Sequence, residues 1–342
     1  MQLRYIQSIL RKTRKISKQE EKKVVFNETA NKVIEEVKKA VTGKDECICK
    51  TFATILAGGH ILIEDVPGVG KTTLAMAFSK ALSLDNKRMQ FTPDVMPADI
   101  VGFNMYQKET GQFVYYNGAI MCNLFLADEI NRTSPKTQSA LLEVMEEGKV
   151  TVDGTSRNVP SPFIVMATQN PKGSSGTQML PESQLDRFMI SLSMGYPDIN
   201  NEIEILKGRN SSNIENVNAI LDKEQLIGMK EAVEKVFVDE KVLAYITLLS
   251  QATRQHGYID LGLSPRGSMA TVKMAKAWAY LQGRNYVLPE DVVNIFFDVA
   301  KHRIQLNTKA RVAHVTPQAV LNEIVSVVKQ PASYMQKAEY SV

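Results

Sequence analysis

Cysteine is scarce in this 342-residue chain: only Cys47, Cys49 and Cys122. An odd count of three cannot frame a disulfide-stapled fold, and in a chain this long it points to a reducing compartment. A cytoplasmic location is therefore expected. Cys47-Ile48-Cys49 is half of a metal site at most, because no second Cys or His pair stands at ligand spacing. The four histidines are scattered. None forms a helix-spaced ligand pair or accompanies a Ser or Cys nucleophile, so metalloprotease and triad-hydrolase chemistry have no support. No apolar run reaches the roughly 18 to 20 residues that span a bilayer. The first residues carry no apolar stretch followed by a small-residue cleavage site, so secretion is not expected.

Charge is also missing where a nucleic-acid tracker would need it. Residues 1–30 hold eight Lys/Arg and three Glu, out of a chain total of +4, which leaves the body at −1. Without a basic groove in the body, nucleic acid is not an expected partner. The basic character belongs to "MQLRYIQSILRKTRKISKQEEKK", with Leu3, Ile6 and Leu10 at helical spacing. That segment is either a basic amphipathic helix for an acidic lipid surface, a nucleic acid or a partner, or a solvated extension. Any membrane contact is expected only through this arm or indirectly.

What is present is an ordinary globular composition, 44% apolar and 23% charged, in a chain long enough for two domains. A helical pattern starts at Asn27 (Val33, Ile34, Val37, Val41), and a second helix follows through "CKTFATILA" to Gly58-Gly59. "HILIE" is then a nearly continuous apolar strand. Further strands are expected at "RMQFT" (88–92), "NLFLADE" (123–129), "PFIVMATQ" (162–169) and "MISLSM" (189–194), with helical patterns between them. Such alternation predicts an α/β fold with a parallel sheet covered by helices on both faces. Beyond Tyr196-Pro197 the strand signals stop and six helical patterns follow. The expected division is a basic extension over 1–26, an α/β domain over 27–198 and an all-helical domain over 199–342. No internal repeat or low-complexity linker is visible.

The chemistry begins at "ILIEDVPGVGKTTLA" (61–75), a strand, a turn and a helix start. Pro67, Gly68, Val69 and Gly70 make the turn, and Lys71, Thr72 and Thr73 open the helix. Glycines let successive N–H groups converge on phosphate oxygens, and the helix N-terminus adds its positive end. Lys71 suits the β- and γ-phosphates of a nucleotide, and Thr72 suits Mg²⁺. The strict phosphate-loop pattern places glycine where Asp65 stands. That position lies farthest from the phosphates, so its loss is expected to matter least. "NLFLADE" ends a strand in two acids: Asp128 for the Mg²⁺ shell and Glu129 to polarise the attacking water. "ATQNP" offers Asn170, either to hold that water or the γ-phosphate, or as a simple turn initiator. "LPESQLDRF" offers Arg187, as an arginine finger or as a surface partner of Asp186. "GLSPRGS" places Arg266 at a helix start. It could reach the γ-phosphate, or Ser264 and Pro265 could simply cap that helix.

With these residues the chain resembles the MoxR family of AAA+ ATPases from about Ala30 to Gln330. The resemblance rests on "GGHILIEDVPGVGKTTLA", "FTPDVMPADIVGF", "LFLADEINRTSPKTQSALLEVMEEGKVTVDG", "PFIVMATQNP", "LPESQLDRF" and "SPRGSMATVKMAKAWAYLQGRNYVLPEDV". It implies ATP and Mg²⁺ as ligands, Walker A at 65–72, Walker B at 124–129, sensor 1 at Asn170, a finger at Arg187 acting on a neighbour, and sensor 2 at Arg266. Arg132 would face a neighbouring subunit as well. "VTGK" (41–44) would pack on adenine through Val41 and Gly43. Two inserts fit the helix-2-insert branch, near 104–118 and 149–159. The second shows alternating Val150 and Val152 before Asp153-Gly154, a hairpin signal. Between them Ser134, Pro135 and Gly148 delimit one helix.

The function implied is Mg²⁺-dependent ATP hydrolysis in a homo-oligomeric ring, a hexamer, driving chaperone-like remodelling, assembly or activation of a protein with a von Willebrand factor A domain. The insert loops would engage that client. Two alternatives stand beside it: a nucleic-acid-associated motor or GTPase of the same branch, and a nucleotide-gated scaffold with little hydrolysis.

Overall fold

The computed structural model describes residues 27–66, 68–169, 180–197, 199–206 and 213–331. The basic arm 1–26, Pro67 and Asn170 therefore lie outside the described residues. In chain order the elements are α1 (Glu28–Lys38), α2 (Asp45–Leu56), β1 (Ile61–Glu64), α3 (Lys71–Ala81), β2 (Asn86–Gln90), α4 (Pro97–Val101), β3 (Gly102–Gln107), β4 (Gln112–Asn117), β5 (Leu124–Asp128), α5 (Pro135–Glu147), β6 (Lys149–Val152), β7 (Thr155–Asn158), β8 (Ile164–Gln169), α6 (Glu182–Leu185) and β9 (Ile190–Leu192). There follow α7 (Ile199–Leu206), α8 (Lys223–Glu234), α9 (Glu240–Gln255), β10 (Ile259–Leu261), α10 (Pro265–Leu281), α11 (Pro289–Ala300), β11 (Gln305–Leu306), α12 (Thr308–Val312) and α13 (Pro317–Val327).

The expected α/β architecture is present. Five parallel strands lie in the order β2-β5-β8-β1-β9. Successive side chains alternate between faces. Ile61, Ile63, Leu124, Leu126, Ile164 and Met166 pack under α1, α2 and α3. Leu62, Phe125, Ala127, Val165 and Ala167 pack under α5, against Leu141 and Leu142. Burial on both sides explains why these strands read as unbroken apolar runs. The second strand lies at 86–90 rather than 88–92. As an edge strand with mostly exposed residues, it lacks the burial pattern that would have marked its ends.

The two inserts are antiparallel hairpins, β3–β4 and β6–β7. Asp153 and Gly154 both take the left-handed backbone that their turn requires. Val150 is fully buried and roots the second hairpin in the core. The hairpins touch: Asn104 Nδ2 donates to Asp153 Oδ2 at 2.8 Å, and the Arg157 guanidinium lies 4.0 Å from the Tyr115 ring centroid. Ser134 caps α5 through its side chain, and Gly148 ends that helix at φ 64°.

The C-terminal helices form a third core around Tyr245, Leu249, Phe296 and Leu321. They are not strictly all-helical, since β10 and β11 pair, each too short to leave a sequence pattern. Met274, Ala277 and Leu281 of α10 and Ile295 and Val299 of α11 join the first core. The α11 helix thereby covers β9, one open edge of the sheet.

Two histidines are buried beside the N-terminal edge of that sheet. Val165 N–H donates to His60 Nδ1 at 3.0 Å, so Nε2 carries the hydrogen and donates to Met145 O at 2.9 Å. Burial pushes the His60 pKa down to about 4 and His302 well below its usual value. The unfolded chain takes up these protons near pH 6.5, whereas the folded chain holds His60 neutral down to about 4. Stability is therefore complete above pH 6.5 and falls as pH drops through that window. For His60 alone the loss is on the order of 3 kcal/mol. Urea unfolding at pH 7.5 and 5.0 should show about 2 kcal/mol of this loss from His60, and His60→Gln should reduce the difference.

Candidate active site

The turn after β1 is shaped by two glycines at φ 88° (Gly68) and φ 97° (Gly70). A Cβ on Gly68 would meet nothing within 4 Å, so the requirement there is backbone conformation rather than space. Gly70 is the N-cap of α3 and Lys71 its first residue. A mostly buried Lys71 donates from Nζ to the Asp65 carbonyl at 2.7 Å. Burial lowers its pKa, opposed by the carboxylates of Asp128, Asp65 and Glu129. Lysine, glycine turn and strand-end acids are thus one electrostatic unit.

Asp128 ends β5 two strands from β1. Thr168 Oγ1 donates to Asp128 Oδ1 at 2.6 Å and accepts the Glu129 N–H at 2.8 Å. One hydroxyl on β8 therefore holds the Asp128 carboxylate and the Glu129 backbone. Arg88 pairs with the other Asp128 oxygen at 2.7 Å. Glu129 sits at φ 57°, a left-handed conformation uncommon for a side chain of its size. Its carboxylate meets Arg132 Nε at 2.8 Å. A hydroxyl (Thr72) and a carboxylate (Asp128) flanking a phosphate loop are hard oxygen donors. That small set fits Mg²⁺, which usually takes one or two carboxylates plus substrate phosphates. Among the described residues no group of three or more His, Cys, Asp or Glu gathers as a metal cage. Cys47, Cys49 and Cys122 are buried and free, their thiols pushed by burial to about 12, 11 and 11. They are packing residues.

The segment 41–44 meets the chain leaving β9. Val41 is buried, and Gly43 adopts φ 71° against the Asn201 side chain, where a Cβ would clash. Lys44 Nζ donates to Tyr196 O at 2.8 Å, tying this segment to the chain leaving β9. Glu64 joins three strand ends by accepting from Gln169 Nε2 and from Ser191 Oγ, the latter at 2.7 Å.

Arg187 and Arg266 lie elsewhere. Arg187 precedes β9, whose Ile190 pairs with Ile61 at the start of β1, and Met189 N–H donates to His60 O at 2.8 Å. Both arginines pair with the same Glu146 carboxylate, one on each oxygen. They share a cavity of about 230 Å³ with Gly59, Met269 and Lys273. This is the N-terminal edge of the sheet; Lys71, Asp128 and Glu129 stand at the C-terminal edge. Four residues of β1 separate the two edges, roughly 13 Å of sheet. In this arrangement Arg266 stands at the edge of the sheet opposite the phosphate loop of its own chain. The capping role of Ser264 does occur, with Gly267 N–H donating to its Oγ at 3.0 Å.

Beneath these arginines lies a support that no local motif announces. Asp186 does not pair with Arg187. It accepts Arg303 Nε at 2.7 Å and Ser264 Oγ at 3.0 Å. Buried Arg303 also donates to the carbonyls of Phe188 (2.6 Å) and Met189 (3.0 Å). The segment carrying Arg187 and the start of α10 are thereby tied together. Thr168, Glu146 and Arg303 escaped sequence reasoning because each works across a long sequence separation.

Comparison with known proteins agrees with this geometry. The model for the ATPase family associated with various cellular activities (AAA) matches residues 60–190, and the AAA lid domain matches residues 251–324. The uncharacterized protein YeaC of Bacillus subtilis (strain 168) is 46% identical over 301 residues, covering 88% of this chain and 94% of its own. Chaperone MoxR1 of Mycobacterium tuberculosis is 36% identical over 312 residues, covering 89% of this chain and 82% of its own. A crystal structure from Cytophaga hutchinsonii ATCC 33406 superposes with a TM-score of 0.82 at 36% identity, covering 89% of this chain and 95% of that one.

Proposed function

The chain belongs to the MoxR family of AAA+ ATPases, and from that premise we propose that it hydrolyses ATP with Mg²⁺ in a ring of identical subunits, most simply a hexamer, to remodel a partner protein. One observation carries the oligomeric part. Arg187 and Arg266 converge at the sheet edge opposite Lys71 and Glu129. A finger so placed is usable only on another subunit's nucleotide, so each active site is completed by a neighbour.

In this reading the glycine turn and the start of α3 receive the phosphates through N–H groups. Lys71 leaves the Asp65 carbonyl for the β- and γ-phosphate oxygens. Bound at Thr72 and Asp128, Mg²⁺ would neutralise charge on the β- and γ-phosphates. Glu129, its backbone held by Thr168, accepts the proton of the attacking water, and Asn170 holds that water. Arg187 and Arg266 of the neighbour stabilise charge that develops on the transferred group.

The β3–β4 hairpin carries Phe103, Met105, Tyr106 and Phe113 with large exposed fractions. Such an exposed apolar surface along the hairpin strands suits a client protein better than a polyanion. The family resemblance makes a von Willebrand factor A-domain protein the first client to try, and a role as a chaperone follows the naming of Chaperone MoxR1.

Lys71→Ala tests the nucleotide reading. Loss of a charge-assisted phosphate contact should weaken ATP binding about 100-fold or more. Calorimetric titration with ATP and Mg²⁺, with circular dichroism to confirm folding, would measure it. An unchanged affinity in a folded variant would sink the assignment.

A further inference from the structure

Asp65 occupies the position where the strict phosphate-loop pattern has glycine, and it is not a passive substitute. Its backbone lies outside the left-handed region, so nothing in the local conformation calls for glycine. The residue is buried. Its carboxylate accepts the N–H groups of Met194 and Gly195 (the latter at 3.2 Å) and the Ser193 hydroxyl at 3.1 Å. Three donors from the segment leaving β9 thus end on one side chain of the segment leaving β1. The Asp65 carbonyl meanwhile holds Lys71 Nζ.

The segment that Asp65 ties down is the one that organises the base side. Just after Gly195, Tyr196 O accepts Lys44, and Gly43 packs on Asn201. We infer that Asp65 is a positioning residue that joins the phosphate loop to the purine-side segment, so that both halves of the nucleotide site hold one spacing. This rests on the nucleotide-binding reading and deepens it. Asp65 touches neither half of the ligand. It acts through its own backbone at the start of the loop on one side and, through its carboxylate, on the 193–195 segment on the other. A charged acceptor with several donors is strong enough to fix such a joint.

The consequence runs against the motif: restoring the missing glycine should harm the site. Asp65→Gly removes the three accepted hydrogen bonds and frees the two segments from each other. ADP and ATP need both halves, whereas inorganic tripolyphosphate needs only the loop. Asp65→Asn can still present its carbonyl oxygen to the Met194 and Gly195 amides and its NH₂ to the Ser193 oxygen.

The test uses the full chain in four forms (wild type, Asp65→Gly, Asp65→Asn and Lys71→Ala), titrated with ADP and with tripolyphosphate at constant Mg²⁺. The expected result is a loss of about tenfold or more in ADP affinity for Asp65→Gly. Its tripolyphosphate affinity should stay within about threefold, and Asp65→Asn should return ADP binding to near wild type. Lys71→Ala should lose both ligands. An Asp65→Gly variant that binds ADP as well as wild type overturns the inference. So does one that loses both ligands in parallel, because that pattern marks a collapsed loop rather than a broken joint. Absence of binding by the wild type would overturn the nucleotide reading itself, an outcome distinct from either.

Discussion

Glu129→Gln is expected to lower steady-state ATP turnover by about 10²- to 10⁴-fold, the usual weight of a positioned general base. ATP affinity should stay within about threefold. The substitution is nearly isosteric, and the Thr168 hydroxyl contacts the Glu129 backbone rather than its side chain. The left-handed turn at 129 is therefore kept. What disappears is the capacity to take a proton from water. The amide oxygen can still accept the hydrogen bond that Arg132 makes to the wild-type carboxylate at 2.8 Å. Single-turnover hydrolysis, read beside binding of a fluorescent ATP analogue, separates the two effects. Equal turnover in wild type and Glu129→Gln would remove Glu129 from the mechanism and favour a nucleotide-gated scaffold. A wild type that hydrolyses and a variant that binds without hydrolysing would instead give a stable trap for capturing the client.

Some of this was legible in the sequence because it is local. Two-sided burial makes "LFLAD" and "FIVMATQ" read as central parallel strands, and the structure has β5 and β8 there. Ser134 and Gly148 bracket α5 because caps depend only on the nearest few residues. Asp128 and Glu129 stand at the end of β5, and Lys71 opens the helix that follows the turn after β1, so their grouping follows once the sheet is parallel. What escaped the sequence is pairing at a distance. Met194 reaches Asp65 across 129 positions, and Arg303 reaches Asp186 across 117. No periodicity records such contacts. The location of Arg266 was hidden for the same reason: its cap is local, but which edge of the sheet α10 starts from is a property of the whole packing. The contacts of Asp65 were equally hidden: its carbonyl holds Lys71, and its carboxylate holds the chain leaving β9.

The second large effect concerns that edge. Arg187→Ala and Lys71→Ala should each abolish nearly all hydrolysis, by about 10³-fold or more for a finger arginine. Mixed together, the two inactive chains should recover activity. A subunit with Arg187→Ala keeps its own phosphate loop, and a Lys71→Ala neighbour still offers an intact Arg187. With random assembly at equal amounts, about a quarter of the interfaces have that order. Arg266→Ala sharpens the test, because the structure seats Arg266 on the same Glu146 carboxylate as Arg187. If both arginines serve the neighbour, Arg266→Ala should also be rescued by Lys71→Ala. If Arg266 instead closes over the nucleotide of its own chain, no mixture of those two variants contains a complete site, and activity stays at background. The Asp186–Arg303 pair fastens the finger segment to the end of α11. Arg303→Met should therefore lower turnover through both arginines at once while leaving ATP affinity nearly unchanged, and its effect should not add to that of Arg187→Ala. Additive losses in that double variant would mean that Arg303 acts on something other than the finger.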